Sequence, residues 1–411
     1  MTAVENAPAA CPYAELPERP AFPFQGDVFV EPSPVYATLR AERPVCPVTA
    51  QGEKPAWLVT RYADAKQALT DPRLTRAGTL DERTVQSMGA AGPAGRTALI
   101  YADPPLLTDS RKLISRYFNG RRVEGLRPRA QQIVDGLIDA MLDRGGPVDL
   151  LDSFARPLPM QIICELLGIP VSDSERIRAS VDVLMATGGR APDDVRAAFG
   201  FLYGYLGRFV AQLRAEPGAD LLSDLIHAEG EDPLTDAELV GLAMLLFVTG
   251  HETTMTQIVN SCLVLLQSDE QRAKLLAEPE LLEGCVEELL RFVPLGHAGL
   301  PFAASEDLEL AGERINKGEL VFVSKLSANR DSDEFADADR LDITRTANKH
   351  IAFSHGPHYC LGAALARMEL QVAIGTLFRR LPQLRLAVDP ERLEWRTDSI
   401  QRGPHALPVT W

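Results

Sequence analysis

The stretch FSHGPHYCLG, residues 353–362, runs directly into an apolar segment that favours a helix. Cys360 therefore lies at the start of a predicted helix, where unpaired backbone N–H groups and the positive end of the helix dipole favour a thiolate. Gly356 and Pro357 suit a tight loop before the sulfur, and Gly362, which lacks a Cβ, lets a flat ligand lie close to the helix start. A lone cysteine, however, is more often a buried and inert residue. The stretch alone leaves two interpretations, a metal-binding thiolate and an inert core cysteine.

An aromatic residue, two glycines and a histidine around Cys360 resemble the haem-binding loop of the cytochrome P450 (haem-thiolate) superfamily, whose usual form is Phe-Gly-x-Gly-x-His-x-Cys-Leu-Gly. Ser354 stands where the first glycine is usual. The resemblance implies that Cys360 is the metal ligand and that the cofactor is haem b, iron protoporphyrin IX. Phe353, His358 and Gly362 are then residues that contact the haem. The implied fold is mainly α with small β-sheets: a triangular, helix-rich domain with the haem between a long central helix and residues 353–362, called the Cys loop below.

The composition of the chain is typical of a soluble globular protein with a sizeable core. Of its 411 residues, 45% are hydrophobic and 24% are charged. The six cysteines lack CxxC or metal-finger spacing, which argues against a disulfide framework or a zinc site and favours the reducing cytoplasm. The net charge of −15 makes nucleic acid a poor candidate partner.

The chain has no internal repeat and no convincing interdomain linker, which indicates one domain over residues 1–411. Residues 1–20 are acidic and rich in Pro and Ala, and they predict a flexible N-terminal tail rather than a secretory signal. The longest apolar run, Leu239–Gly250, is too short to span a bilayer, so we expect no membrane segment. Strands are expected at residues 57–59, 307–310 and 319–323, and a helix at 63–69.

Thr235 and Glu238 have the spacing of a capping box and open a long apolar helix that we expect to reach Gln267. Its continuous apolarity predicts burial on most faces. In its middle lies the polar hexad TGHETT, residues 249–254. On its own, such a hexad more often means a threonine bonded back to a carbonyl of its own helix and a glutamate that reaches solvent.

Beside Cys360, the hexad resembles the central-helix signature of the P450 superfamily, Ala/Gly-Gly-x-Asp/Glu-Thr-Thr. Dioxygen activation needs protons, delivered through a hydroxyl near the iron by an acid linked to solvent. The resemblance implies that Thr253 supplies the hydroxyl and Glu252 the acid. Gly250 would leave space for dioxygen and let the helix kink locally. Thr249, where alanine is more usual, would add a hydrogen-bonding group to the roof of the pocket.

Glu288 and Arg291 are three residues apart on a predicted helix, a spacing that usually gives a surface ion pair of little value. Glu288 lies at the edge of the apolar stripe, however, so the alternative is a buried pair with further partners. The Glu-x-x-Arg motif of the superfamily is joined by an arginine from an irregular segment before the Cys loop. Residues 335–341 resemble that segment, so we expect Arg340 to complete a structural triad with Glu288 and Arg291.

A basic segment, residues 111–129, interrupts this acidic chain. It is either a solvated helix face or a docking surface for an acidic protein, and the sequence weighs the two about evenly. The resemblance places this segment on the electron-donor face, so we expect ferredoxin and ferredoxin reductase as partners. Arg111 matches an arginine that binds a haem propionate. Leu107 and Phe302 stand where two other propionate ligands are usual, which leaves Arg111 and His358 for this role.

The substrate pocket is expected in segments that vary within the superfamily. The candidate lining residues are Thr249, Val293, His297 and Ile400. A lone histidine such as His297 is more often a satisfied loop residue than a substrate anchor. If His297 faces the haem, a polar or carboxylate-bearing substrate becomes more plausible. Otherwise we expect a mostly apolar molecule of medium size, bound by a monomer.

Three functions fit these motifs. A thiolate ligand pushes electron density onto iron and favours O–O cleavage, so the first is a haem-thiolate monooxygenase. It would hydroxylate or epoxidise a small molecule, and it resembles enzymes of actinobacterial secondary metabolism, that is, natural-product biosynthesis. The second is oxidative phenol or aryl coupling on the same scaffold, which the motifs do not separate from the first. The third is a non-catalytic haem sensor or carrier, and the presence of Glu252 and Thr253 argues against it.

Overall fold

A computed structural model describes residues 16–24, 31–50, 54–80, 99–185, 191–228, 233–293, 295–296, 298–396 and 401–411. Helices dominate, with small sheets among them. The α-helices of the described residues are α1 (Val35–Glu42), α2 (Tyr62–Thr70), α3 (Leu106–Ile114), α4 (Gly120–Arg144), α5 (Pro157–Leu167), α6 (Ser174–Met185), α7 (Pro192–Ala215), α8 (Leu221–Ile226), α9 (Asp236–Leu266), α10 (Asp269–Ala277), α11 (Leu282–Phe292), α12 (Lys325–Ala328) and α13 (Ala363–Arg380). The strands are β1 (Val45–Ala50), β2 (Lys54–Val59), β3 (Leu74–Thr75), β4 (Val148–Asp149), β5 (Phe302–Ala304), β6 (Leu308–Leu310), β7 (Glu313–Ile315), β8 (Leu320–Val323), β9 (Arg385–Leu386) and β10 (Pro408–Thr410).

The largest sheet has the strand order β1-β2-β8-β5-β3. Strands β2 and β8 are parallel, and the other neighbours are antiparallel. Apolar side chains that alternate along β8 pack with residues of α2 in one buried cluster, as expected for strands with one buried face. The strands predicted at 57–59, 307–310 and 319–323 and the helix predicted at 63–69 are confirmed, with some shifted ends.

Helix α9 is the longest described helix and packs against α5, α7 and α13. Its start is the predicted capping box. The Thr235 hydroxyl accepts from the Glu238 N–H (3.3 Å), and the Glu238 carboxylate accepts from the Thr235 N–H (2.9 Å). By length and composition α9 could cross a membrane, but 61% of its most apolar window is buried inside the protein, as in the core helix of a globular fold.

Residues 1–15 of the predicted tail lie outside the described residues. Within the described residues 16–24, Leu16 packs on an apolar cluster and the Pro20 carbonyl accepts from the Thr49 N–H of β1 (2.8 Å). The flexible tail over residues 1–20 stays a prediction. The assignment of one domain to residues 1–411 stays a prediction.

The Cys loop leads directly into α13, which packs against α4, α9 and α11. Apolar side chains of these helices share one buried cluster. The loop is therefore anchored at its C-terminal end to the core that also contains the central helix.

Candidate active site

The Cys loop folds back on itself before α13. The Cys360 N–H donates to the Phe353 carbonyl (2.8 Å), and the Tyr359 N–H donates to the Gly356 carbonyl (3.0 Å). Gly356 has φ +70°, and a Cβ there would lie 2.6 Å from the Leu69 carbonyl oxygen. Glycine alone fits this close approach at positive φ without strain. The expected tight loop before the sulfur is confirmed.

Ser354 has φ +68°, a conformation that glycine adopts freely and that other residues adopt at a cost. This is the position at which the haem loops that the Cys loop resembles usually carry glycine. The serine therefore keeps a backbone conformation suited to glycine, and the loop bears the strain.

Cys360 is exposed, whereas the other cysteines of the described residues are buried. Burial is nevertheless the largest influence on the pKa of the Cys360 thiol and raises it. The Gly362 N–H, and then the charges of Lys325 and Arg111, oppose this rise. The backbone N–H at the helix start therefore favours the thiolate, as expected, but burial opposes it more strongly. A metal ion would supply what is missing, since a coordinating thiol is deprotonated.

Two features of the Cys loop fit a flat cofactor that carries carboxylates. A Cβ at Gly362 would meet no protein atom within 4 Å, so protein packing does not require this glycine. The Nε2 atom of His358 is buried without a hydrogen-bond partner, and Asp103 Oδ1 at 3.8 Å is too distant to be one. A buried polar atom of this kind calls for a partner. Both features fit haem.

Helix α9 holds Glu252 and Thr253 in different environments. Glu252 is buried, and its Oε1 accepts from Arg396 Nη1 (2.7 Å). Arg396 also donates to the Thr256 hydroxyl (2.8 Å). The Thr253 hydroxyl donates to the Thr249 carbonyl of its own helix (2.7 Å). Thr253 thus makes the bond expected of a structural threonine, whereas Glu252 is paired with an arginine instead of reaching solvent.

No motif in the sequence marks Arg396, which lies 144 positions from Glu252. A second residue that sequence reasoning passed over is His251, inside the hexad itself. Its Nδ1 contacts the Phe247 carbonyl (2.7 Å), while its Nε2 is buried without a hydrogen-bond partner, 4.0 Å from Glu252 Oε2. Burial lowers the pKa of His251, so the imidazole is neutral at neutral pH.

Gly250 has a packing reason for being glycine. A Cβ there would lie 2.8 Å from the Cδ1 atom of Ile163 on α5. The helix also continues through this position without interruption. Close contact between α5 and α9 therefore gives a packing reason for Gly250, while the local kink and the space for dioxygen stay predictions.

The candidate pocket residues are only partly described. Thr249 is half-buried, and its hydroxyl donates to the Leu245 carbonyl (2.7 Å). Val293 is buried in the main apolar cluster. His297 and Ile400 lie outside the described residues.

The predicted triad is corrected in its third member. Glu288 and Arg291 form a fully buried pair on α11 (2.7 Å). The side chain of Arg340 is 60% exposed and points to Glu270, and only its carbonyl accepts from Arg291. Arg345 supplies the third guanidinium, with its Nε 3.1 Å from Glu288 Oε2. The chain turns after residue 341, and this turn brings Arg345, five positions after Arg340, to the Glu288 carboxylate. The sequence alone did not distinguish Arg345 from Arg340.

A second ion pair, not foreseen from the sequence, links α11 to α13 under the Cys loop. Arg367 donates to both oxygens of Glu287 (2.7 and 2.8 Å), and its guanidinium lies 4.6 Å from the Phe353 ring centroid. The His350 imidazole lies 3.2 Å from the same carboxylate. Burial raises the pKa of Glu287, but the hydrogen bonds from His350 and Arg367 outweigh it and lower the value to about 2.

Arg111 is half-buried on α3. Burial lowers the pKa of Arg111, and the nearby Cys360 opposes this. Leu107 and Phe302 are both buried in apolar clusters, so neither position offers a polar group. Arg111 lies close enough to Cys360 to influence its charge, and the carboxylate-binding roles of Arg111 and His358 stay predictions.

Comparison with known proteins decides the family. The family model of Cytochrome P450 matches residues 184–397. The chain is 45% identical to nocardicin C N-oxygenase of Nocardia uniformis subsp. tsuyamanensis over 95% of this chain and 98% of the relative. The chain belongs to the cytochrome P450 family. It is also 41% identical to mycinamicin IV hydroxylase/epoxidase of Micromonospora griseorubida, over 96% of this chain and 99% of that P450.

Among solved structures, the chain is similar to cytochrome P450mel 107F1, described as having biaryl coupling reactivity. The TM-score is 0.85 and the identity 41%, over 93% of this chain and 97% of the other. The predicted P450 fold is confirmed. This P450 is a monooxygenase with haem b as cofactor, takes electrons from redox partners and acts on small molecules.

Proposed function

We propose that Cys360 binds the haem iron of this P450 and that Arg111, Phe353, His358 and Gly362 contact the porphyrin. The observation that carries this assignment is the environment of Cys360, an exposed cysteine just before α13 that lies close to Lys325 and Arg111. When bound, the haem supplies the reductive activation of dioxygen, which a thiolate ligand favours.

Glu252 and Thr253 deliver protons in this proposal. The Thr253 hydroxyl donates its hydrogen bond to the Thr249 carbonyl, so the lone pairs of the Thr253 oxygen remain able to accept a proton. The carboxylate of Glu252 is held by Arg396 through a single oxygen. Rotation away from Arg396 lets the Glu252 carboxylate take up a proton from solvent and pass it, as a carboxylic acid, to the Thr253 oxygen. The Thr253 hydroxyl then releases its own proton into the haem pocket, and Glu252 returns to the carboxylate form.

The substrate we propose is a mostly apolar small molecule of natural-product biosynthesis, hydroxylated or epoxidised by one atom of dioxygen. The names of the two curated relatives, an N-oxygenase of nocardicin C and a hydroxylase/epoxidase of mycinamicin IV, support this class. The similarity to a P450 with biaryl coupling reactivity favours aryl coupling as the second candidate. Thr249 and Val293 remain proposed pocket residues.

For electron transfer we propose an acidic ferredoxin, itself reduced by a ferredoxin reductase, that docks beside α3. Lys112, Arg116 and Arg121 are exposed there, and Leu113 and Tyr359 add exposed apolar area. Complementary charge would steer the encounter even though the whole chain carries −15. We further propose that the enzyme acts as a monomer in the cytoplasm.

The decisive experiment is the visible spectrum of the dithionite-reduced protein with carbon monoxide. Wild type should show the strongly red-shifted Soret band of a thiolate ligand, and Cys360→Ser should lose it. Cys46→Ala, a cysteine in β1, should keep the band. A histidine-type band in wild type would overturn the assignment of Cys360.

Turnover with ferredoxin, reductase and labelled dioxygen separates the candidate reactions. A product that gains one labelled oxygen atom supports hydroxylation or epoxidation. A product that has lost two hydrogens and gained a new aryl bond supports coupling. A holoprotein that consumes no reduced cofactor with any substrate would leave only a sensor or carrier.

A further inference from the structure

The position of Phe302 opposite Arg76 explains an apolar residue where a propionate ligand is usual. In the antiparallel pair of β3 and β5, Leu74 faces Ala304 and Thr75 faces Ala303. The next cross-strand neighbours are therefore Arg76 and Phe302. The Arg76 guanidinium carbon lies 3.7 Å from the Phe302 ring centroid, so the aromatic ring serves as a platform for the cation.

Arg76 is held in place at both ends. Its Nη1 donates to the Leu300 carbonyl and to the Pro301 carbonyl (2.8 Å). The backbone N–H groups of Arg76 and Ala77 each donate to an oxygen of Asp103 (both 2.9 Å). The Nε atom is buried and makes no hydrogen bond. A fixed guanidinium with a buried donor left over requires an acceptor that the described residues do not provide.

The cations Arg76 and Lys325 lie close enough to influence each other, and Asp103 is an acid near Arg76. Burial lowers the pKa of Arg76 to about 10, and Asp103 is the acid that opposes this. The pKa of Lys325 is lowered first by burial and then by the nearby charge of Arg76. Lys325 in turn lies close to Cys360. Within the described part of the chain, neither Arg76 nor Lys325 forms an ion pair with a carboxylate. Unpaired cations at a buried site are costly unless an anion joins them.

We propose that Arg76 binds a haem propionate in this P450. Arg76 lies opposite Phe302 on the neighbouring strand and takes the propionate-binding role that the apolar Phe302 cannot fill. The proposal rests on Cys360 holding the haem. Lys325 contributes a second positive charge to the same anion. The positive charge that is usual at position 302 is thus supplied from position 76, at a similar place in the structure.

The test compares Arg76→Gln with Arg73→Gln, a control on the same segment whose guanidinium is partly exposed and paired with Asp71. Haem transfer from each holoprotein to excess apomyoglobin is followed in the visible spectrum. Loss of a charge-assisted hydrogen bond should make R76Q lose haem about 10- to 100-fold faster than R73Q. R76Q should also have a lower reduction potential, because removal of a nearby positive charge disfavours the added electron.

The exchange variant R76F/F302R moves the charge back to the usual strand and should restore slow haem loss. Equal haem loss from R76Q and R73Q would overturn the proposal. So would an exchange variant that loses haem as fast as R76Q, since Arg76 would then act only through the loop it anchors. If R76Q yields no holoprotein, the exchange variant and R76K, which keep the charge, must yield it for the proposal to stand.

These outcomes are separable from failure of the Cys360 assignment. In every Arg76 variant the ferrous carbon monoxide band should remain that of a thiolate. A wild-type band of the histidine type would reject Cys360, whereas an intact thiolate band with unchanged haem loss would reject Arg76 alone.

Discussion

The pair Glu288 and Arg291 and the pair Glu252 and Arg396 join the same two groups at the same distance, 2.7 Å. The first pair is fully buried, whereas the side chains of Glu252 and Arg396 are 11% and 14% exposed. The Glu288 carboxylate accepts five hydrogen bonds: two from Arg291 and one each from Arg345, Asn348 and the Asp342 N–H.

The second pair is far less saturated. Among the described residues, Glu252 accepts one hydrogen bond from a side chain, and Arg396 Nε is buried without a partner. The nearby His251 Nε2 is also without one. A saturated pair fixes the backbone around it, whereas an undersaturated pair can exchange partners at low cost. The same chemical change in the two pairs should therefore have different consequences.

The largest effect on stability is expected for Glu288→Gln. The change leaves the buried guanidinium groups of Arg291 and Arg345 without their counter-charge, which should cost about 3 to 5 kcal/mol. Urea unfolding of the holoprotein measures it. Glu283→Gln, at an exposed position on the same helix, should stay within about 0.5 kcal/mol of wild type. A loss below 1 kcal/mol for Glu288→Gln would contradict the saturated pair.

Glu287 offers a third acid for comparison. Its side chain is 29% exposed, more than that of Glu288 or Glu252, and its effect depends on pH. Its folded-state pKa of about 2 lies below the ordinary 4.5. The ionised carboxylate therefore stabilises the fold fully above pH 4.5, and this contribution disappears as the pH falls from 4.5 toward 2. It should amount to about 3 kcal/mol at neutral pH, at 1.36 kcal/mol per pKa unit.

Unfolding of Glu287→Gln at a series of pH values tests this window. The variant should be less stable than wild type at pH 7, and the difference should close in acid. A difference that stays constant across the window would show that lost packing, and not the charge of Glu287, is responsible.

Glu252→Gln is the matched change in the undersaturated pair. Its expected effect on stability is smaller, about 1 kcal/mol, because Arg396 keeps its contact with solvent and its hydrogen bond to the Thr256 hydroxyl. Its effect on turnover should be large, about a hundredfold, because proton delivery by a positioned acid contributes on that scale. The measurement is the rate of product formation at saturating substrate and redox partners, with unfolding measured in parallel. Equal stability losses for Glu252→Gln and Glu288→Gln would remove the distinction between the two pairs.

Local patterns in the sequence predicted those parts of the fold and site that depend on neighbouring residues. The capping box of α9 and the tight turn at Gly356 follow from residues close in the chain, whereas the spacing of Glu288 and Arg291 left a surface pair and a buried pair open. The partners that the sequence did not reveal, Arg345 and Arg396, reach their acids from 57 and 144 positions away. Such contacts depend on how loops close over the core, and no local spacing encodes this.

The Cys loop supported by Glu287 and Arg367 carries the smallest testable effect, the strain at Ser354. Ser354→Gly should stabilise the protein by about 0.5 to 1 kcal/mol, since relief of a left-handed conformation is partly offset by the greater freedom of glycine in the unfolded chain. Ser354→Ala removes the same hydroxyl but keeps the Cβ, and it should bring no gain. Equal stability of the glycine and alanine variants would mean that the loop bears no strain at φ +68°. A gain confined to glycine would show that the core support under the loop is strong enough to hold a residue in a conformation it disfavours.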